Sequence, residues 1–442
     1  MHSIKLNFIE NVKFDSIVNR WWLDQPKQAA IAIENDMIDL SGWIICADAF
    51  SIVSVITESP AGCREEFPLN VKRADAIKAV LATDVDINCG FRFKIKFETG
   101  TTHISFKINN QTYNVLTLSS TRLIKVLKGK SNFLFLANDT NRSTDQFTGA
   151  LSLSTTALSN WNSHLTSLHR EFSSEDRKAC FLLAPAKEEI FPDFYPYPRA
   201  TITPVDEFLS KIHCDFEILF PLDKLQRDRE LTYSRVDSHW TDYGAKLAAE
   251  ELLKCLGLSS HTSNLPNEFE VRSTTGDLGI KTSPPTFGPI LSISPRYRKV
   301  HETFNNKINN NGRVRVYENP NAVVQHTLVI FGDSFSTNLA HLLTPIFSRV
   351  VYTYTGGGID RSVIEFEKPK FITIQSNQRF IITPPPLDYN IWDNARIKLA
   401  QNDKTTLENL AIEMKTHFEG SSFFYARKMF DLINEVLFQK KC

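Results

Sequence analysis

Thr327-Leu328-Val329-Ile330-Phe331-Gly332-Asp333-Ser334-Phe335-Ser336 is the stretch on which the fold reading turns. Its first half is a short β-branched and apolar run, the pattern of a strand buried on both faces in a parallel sheet. The run breaks at Gly332. Beyond it Leu339, Leu342, Leu343 and Ile346 recur at helical spacing, which predicts a helix from about Ser336. Strand, sharp turn and helix in that order put Ser334 at the carboxyl edge of a sheet. There its hydroxyl is exposed, and backbone N–H groups can face a developing oxyanion. Gly332 permits the tight turn, and Asp333 reads as a structural turn residue rather than as a second base.

A serine hydroxyl needs a base to become a nucleophile. The partner chosen from the sequence lies upstream in Arg235-Val236-Asp237-Ser238-His239-Trp240-Thr241. Two residues apart, the Asp237 carboxylate can fix the His239 tautomer and stabilise its imidazolium. Thr241 can cap a helix whose apolar face is Ala245, Ala248, Ala249, Leu252 and Leu256. Alone, a Gly-Asp-Ser triplet is usually a turn and an Asp-x-His is usually a loop.

Together, and in this order, the two motifs resemble the alginate O-acetyltransferase family, a branch of the SGNH hydrolase superfamily. Gly129 to Asp139 resembles that family's opening segment, Ala184-Pro185-Ala186-Lys187-Glu188 its Pro-x-Lys turn, and Gly276-Asp277-Leu278-Gly279 a further signature. Val316 to Pro320 and Gln378-Arg379-Phe380 flank the nucleophile strand as in the family, and the likeness spans about 125–385. It implies an α/β fold, an SGNH-like parallel sheet flanked by helices, and acyl transfer by Ser334, His239 and Asp237. Asn338, Tyr354 and Gly357 are candidates for a second oxyanion donor. Lys187 reads either as a phosphate or carboxylate contact or as a structural lysine. Arg379 and Trp240 complete the substrate candidates, and no metal is expected. Gln375 and Gln378 stand where the family carries an acidic residue.

The remaining composition sets bounds. The 442 residues are 42% hydrophobic and 23% charged, with 50 basic against 50 acidic side chains, so no net field draws nucleic acid or an anionic membrane. The opening Met1 to Asn7 shows no apolar h-region, and no apolar run is long enough to span a bilayer. Seven scattered cysteines without a Cys-x-x-Cys pair argue against a disulfide framework or zinc site. The expectation is a cytosolic enzyme with no bound cofactor, using acetyl-CoA as donor and a polysaccharide or oligosaccharide, of capsule or O-antigen type, as acceptor. Association with capsule-synthesis enzymes would follow. An esterase with water as acceptor is the alternative, and a non-catalytic glycan-binding scaffold a second.

The expected organisation is a lead-in over 1–27, an all-β sandwich over 28–117, the catalytic domain over 125–388 and a helical C-terminal extension over 389–442. Alternating runs at 31–34, 38–45, 52–56, 91–97 and 104–108 carry the sandwich. Ser41-Gly42-Trp43 and Asn88 to Phe93 resemble a small module appended to some bacterial glycosyltransferases, though Lys72-Arg73-Ala74-Asp75 stands where that module has Arg-Pro-Asp. Its role is either packing and oligomerisation or holding a glycan. The amphipathic Ala426 to Phe438 segment reads as a membrane or partner helix, or as one packed on the protein's own core.

Overall fold

The computed structural model describes residues 2–9, 14, 16–26, 29–31, 37–60, 62–83, 87–96, 100–122, 126–137, 139–174, 176–297 and 302–439. The chain divides into two compact units, Met1–Lys125 and Val126–Cys442.

Among its described residues the first unit is all-β apart from one helix, Ala74–Leu81. One sheet runs Ala29–Ile31, His2–Phe8, Gln111–Arg122, Gly100–Ile108, Val53–Glu58, Arg64–Pro68, and the other Val18–Gln25, Met37–Cys46, Asn88–Lys96, Val71–Lys72. Ile104, Phe106 and Leu116 of the first sheet share one buried cluster with Ile38, Leu40, Phe91 and Ile95 of the second, which is sandwich packing. The segment read as a lead-in carries His2–Phe8 and Val18–Gln25, both paired inside this unit. Of the run expected at 31–34, all but Ile31 lies outside the described residues.

The second unit is built on a seven-stranded sheet in the order Ile218–Leu219, Lys178–Ala184, Phe371–Asn377, Val324–Gly332, Phe347–Tyr354, Val314–Glu318, Glu302–Asn305. The first five strands are parallel; Val314–Glu318 is antiparallel to Phe347–Tyr354, and Glu302–Asn305 is antiparallel to Val314–Glu318. Because successive side chains alternate, Val329 and Phe331 enter one apolar layer and Leu328 and Ile330 the other. Both faces are covered. The helix Asp242–Cys255, capped by Thr241, whose Oγ1 accepts from Gly244 N at 3.1 Å, lies on the Leu328 side. The helix Thr155–Phe172 and the three C-terminal helices Ile391–Leu399, Lys404–Lys415 and Phe423–Gln439 lie on the Val329 side.

The segment read as an extension is therefore a layer of this unit. Tyr425, Met429 and Ile433 are fully buried against the sheet side chains. In the sequence Phe216 to Leu222 reads as one strand, but only Ile218–Leu219 pairs, since Leu222 already opens a helix. The Ser-, Thr-, Asn- and Pro-rich segment 258–326 reads as loops with strand pieces and a substrate-binding insertion; its strand pieces are the Phe269–Thr274/Gly288–Ile293 hairpin and the strands Glu302–Asn305 and Val314–Glu318, which join the central sheet. Among the described residues, no helix is long and apolar enough to cross a membrane.

Candidate active site

The strand Val324–Gly332 ends in the turn that carries Ser334, and the helix Ser336–Leu342 follows. Gly332 is required by close approach rather than by its dihedrals. A Cβ there would collide with the Ser336 hydroxyl and sit 2.8 Å from Gln375 Oε1. That same oxygen accepts from Asp333 N at 3.0 Å and from Ser336 Oγ at 2.7 Å. Asp333 is buried, and its carboxylate accepts from Phe335 N at 2.9 Å and Asn377 N at 2.7 Å. Tyr352 Oη donates to its carbonyl at 2.7 Å. Burial pushes the Asp333 carboxyl above the usual range, although the two N–H groups favour its charge. Asp333 thus clamps the turn to the neighbouring strand Phe371–Asn377.

The second loop brings His239 onto this turn. His239 Nε2 lies 2.7 Å from Ser334 Oγ, and His239 Nδ1 lies 2.8 Å from Asp237 Oδ1. With the imidazole proton on Nδ1 facing the carboxylate, Nε2 is left to accept from the serine hydroxyl. Asp237 Oδ1 also accepts from His239 N at 2.8 Å, so one carboxylate fixes both backbone and ring. Burial pulls the imidazole down, but the hydrogen bond and charge of Asp237 outweigh it and its pKa is raised. Burial likewise opposes the Asp237 charge, yet His239 and the Asp277 N–H hold that carboxyl well below the usual range. His239 keeps 27% of its side chain exposed, so the relay is reachable from solvent.

Three residues brace the loop. Gly276 adopts φ +56°, and a Cβ on it would meet the Asp237 side chain at 2.8 Å. Asp277 N donates to Asp237 Oδ2 at 3.2 Å, while its own carboxylate takes Ser238 N at 2.7 Å and Ser238 Oγ at 2.6 Å. From below, the buried Lys187 Nζ donates to Asp237 O at 3.0 Å and to Leu134 O at 2.7 Å. It sits 5.4 and 5.3 Å from the Phe133 and Phe135 rings. Burial brings the ammonium pKa down to about 7, against the pull of Asp237, Asp277 and Glu188. Of its two sequence readings, the contacts are those of the structural lysine.

Asp237, His239 and Asp277 are close enough together to surround a cation. Their hydrogen bonds to one another, to Ser238 and to Ser334 already occupy the oxygens and ring nitrogens a cation would use.

The other candidates divide. Tyr354 lies close enough to Ser334 for the serine side chain to favour its ionised form, but burial outweighs this and raises its phenol pKa. Trp240 is buried, and its Nε1 donates to Phe335 O at 3.1 Å, tying the base loop to the nucleophile turn. Asn338 Nδ2 donates to Asp242 Oδ1 at 2.7 Å, an interhelical tie rather than the oxyanion contact expected of it. Gly357, at φ +96°, is buried beside Pro385 and the Gln375 backbone. Arg379 has its Nε 3.8 Å from Asp139 Oδ2 and its guanidinium over the Phe380 ring. Sequence reasoning missed Asp277, Gln375 and Tyr352 as site-forming residues. The first carried a signal, a glycine directly before an aspartate in a quoted signature, but no hint of what it would touch.

No family model matches the sequence, and no curated protein matches it. Among solved structures the chain is similar to Bacillus cereus PatB1, with 12% identity and a TM-score of 0.43 over 59% of this chain and 98% of that one. A DHHW family protein from Eubacterium siraeum aligns at 11% identity and TM-score 0.41, over 60% of this chain and 99% of the other. The O-acetyltransferase domain of Pseudomonas putida AlgJ aligns at 14% and 0.38, over 65% and 99%.

Proposed function

We propose that this chain is an SGNH-like O-acetyltransferase that moves an acetyl group from acetyl-CoA to hydroxyls of a surface polysaccharide of capsule or O-antigen type. The observation that carries the reading is the unbroken relay of 2.8 and 2.7 Å from Asp237 through His239 to Ser334 Oγ. In the first half-reaction His239 takes the hydroxyl proton as Ser334 Oγ attacks the thioester carbonyl. The tetrahedral intermediate collapses to acetyl-Ser334, and the coenzyme A thiolate leaves, taking the proton from His239. In the second half-reaction a sugar hydroxyl gives its proton to His239 and attacks the acetyl carbonyl, and Ser334 leaves with that proton restored. The Ser334 N–H is the first oxyanion donor, and Tyr354, whose phenol stays protonated because burial raises its pKa, is the second.

The 27% exposure of His239 also favours a second reading, in which water takes the acetyl group and the enzyme is a carbohydrate esterase. Thiol release from acetyl-CoA, with and without candidate capsular oligosaccharides, separates the two. Acceptor-stimulated release that vanishes in Ser334→Ala supports transfer. Serine-dependent loss of acetate from acetylated glycans, without thiol release from acetyl-CoA, supports the esterase. Neither activity in wild type would overturn both.

A further inference from the structure

Beside the relay, and resting on the acyl-transfer reading, lies a cleft of about 530 Å³, within the range of roughly 300–1,000 Å³ typical of small-ligand sites. Asp333, the residue directly before Ser334 in the nucleophile turn, is one of its walls, together with Tyr354. We infer that this cleft is the acceptor subsite and that it takes an uncharged, hydroxyl-rich sugar rather than a uronate or a phosphate-bearing group.

Its chemistry carries the inference. Among the described residues, no lysine or arginine lines the cleft. Its single carboxylate, Asp333, is occupied by the Phe335 and Asn377 N–H groups. Two arginines stack on wall rings, Arg379 on Phe380 and Arg313 on Tyr354, but neither lines the cleft itself; Arg379 lies 3.8 Å from Asp139 Oδ2, and Arg313 Nε donates to Ile308 O at 3.1 Å. Anionic ligands are ordinarily met by arginine forks or lysine ammonium groups, and these walls present none. What they present instead is Thr140, Asn141 and Thr355, which both donate and accept as sugar hydroxyls do, with the faces of Tyr354, Phe380 and Pro385 for the C–H side of a pyranose ring.

Thr355 supplies a second, independent observation. It is 5% exposed, and its Oγ1 has no hydrogen-bond partner among the described residues. A buried hydroxyl is ordinarily paired; Oγ1 is closed to solvent in this rotamer, and a turn about χ1 would bring it to a ligand hydroxyl in the cleft the residue lines.

The test measures binding in Ser334→Ala, where no turnover intervenes, by saturation-transfer NMR with cellotriose and trigalacturonate as probes. Cellotriose is expected to bind, and trigalacturonate to bind at least about tenfold more weakly. Thr355→Val, which keeps the side-chain shape, and Phe380→Ala, which removes one ring, should each weaken cellotriose by roughly tenfold. Far-ultraviolet dichroism checks that both variants are folded. Equal or tighter binding of trigalacturonate overturns the inference, as does cellotriose binding indifferent to both variants, or no trisaccharide binding at all. Acylation of wild-type Ser334 by p-nitrophenyl acetate, read by intact mass, is independent of the cleft's preference. Acylation without cellotriose binding sinks this inference and leaves the acyl-transfer reading standing. Cellotriose binding without acylation does the reverse.

Discussion

The turn carrying Ser334 and the loop carrying Asp237 and His239 are each fixed through an aspartate, buried Asp333 in the first and half-buried Asp237 in the second, and the two anchors differ in kind. Asp333 is clamped to a neighbouring sheet strand through Gln375 and Asn377, so the nucleophile turn inherits the rigidity of the sheet. The Asp237 loop is held instead against the short strand Leu134–Leu136, where Leu134 N donates to Arg235 O at 2.8 Å. It is braced by Asp277, Gly276 and Lys187, which come from two segments distant in sequence. The electrostatics follow the anchors. Asp333 is buried among backbone donors and its pKa is raised, whereas Asp237 faces His239 and its pKa is depressed. The first aspartate serves geometry and the second serves charge, so damage to the two anchors should be separable by experiment.

The sharpest way to break the contrast is Asp237→Asn. It keeps the shape but removes the charge and the tautomer constraint, and should lower kcat by about 10⁴-fold. It also bears on pH. A base works when neutral, so kcat/KM should rise with pH through the raised pKa of His239, above the ordinary value of about 6.5. Asp237→Asn should move that limb to lower pH. An unmoved limb would mean that another group titrates there.

Gly332→Ala probes the sheet-held turn. The added methyl must displace Gln375 or Ser336, and a shift of about 1 Å in the nucleophile costs on the order of 10²-fold in rate. A drop of roughly 1–3 kcal/mol in urea-unfolding stability should accompany it. Wild-type stability together with wild-type kcat would show that the turn is softer than described.

Asp277→Asn tests the brace. One or two weakened charge-assisted hydrogen bonds, each worth about 1.5–3 kcal/mol, should lower kcat/KM by roughly 10- to 100-fold. The thermal midpoint should move less than in Gly332→Ala. The opposite ranking would place the structural load on the loop.

Lys187→Met has the smallest effect on kcat, and its signature appears in the pH dependence of stability. The buried ammonium is held at about 7, below its unfolded value of about 10.4. Between those values the unfolded chain binds the extra proton, so this group makes stability rise with pH. The wild-type-minus-variant difference in Tm should therefore move in favour of wild type between pH 7 and 10. A movement of about 2–4 °C is expected for each kcal/mol. A difference flat in pH would show that Lys187 is not buried as a cation.

How far the sequence revealed these two regions differs for physical reasons. The strand Val324–Gly332 and its turn were legible because a run buried on both faces must be apolar throughout and must break where it leaves the sheet. Asp237 and His239 were legible because two residues suffice for a carboxylate to reach an imidazole. Asp277 was not, since it acts on Ser238 and Asp237 across about forty residues. Asn338 looked like an oxyanion donor only until its helix was set against Asp242. The strand at 218–219 was read too long because the largely apolar run continues past its two paired residues, and the strands near 302–318 were read only as pieces among loops because little local pattern marks strands embedded in polar segments.

By itself, then, the sequence determined the local units: period-two strands, capped helices, and a serine at the end of an apolar run. These depend on neighbours within a few residues, where sterics and burial leave their imprint in side-chain type. Only the tertiary structure decided that the C-terminal helices close one face of the sheet, that Gly332 is needed for space, and that Ser334 and His239 meet at 2.7 Å. Those outcomes rest on contacts between residues far apart along the chain, whose pairing no local spacing encodes.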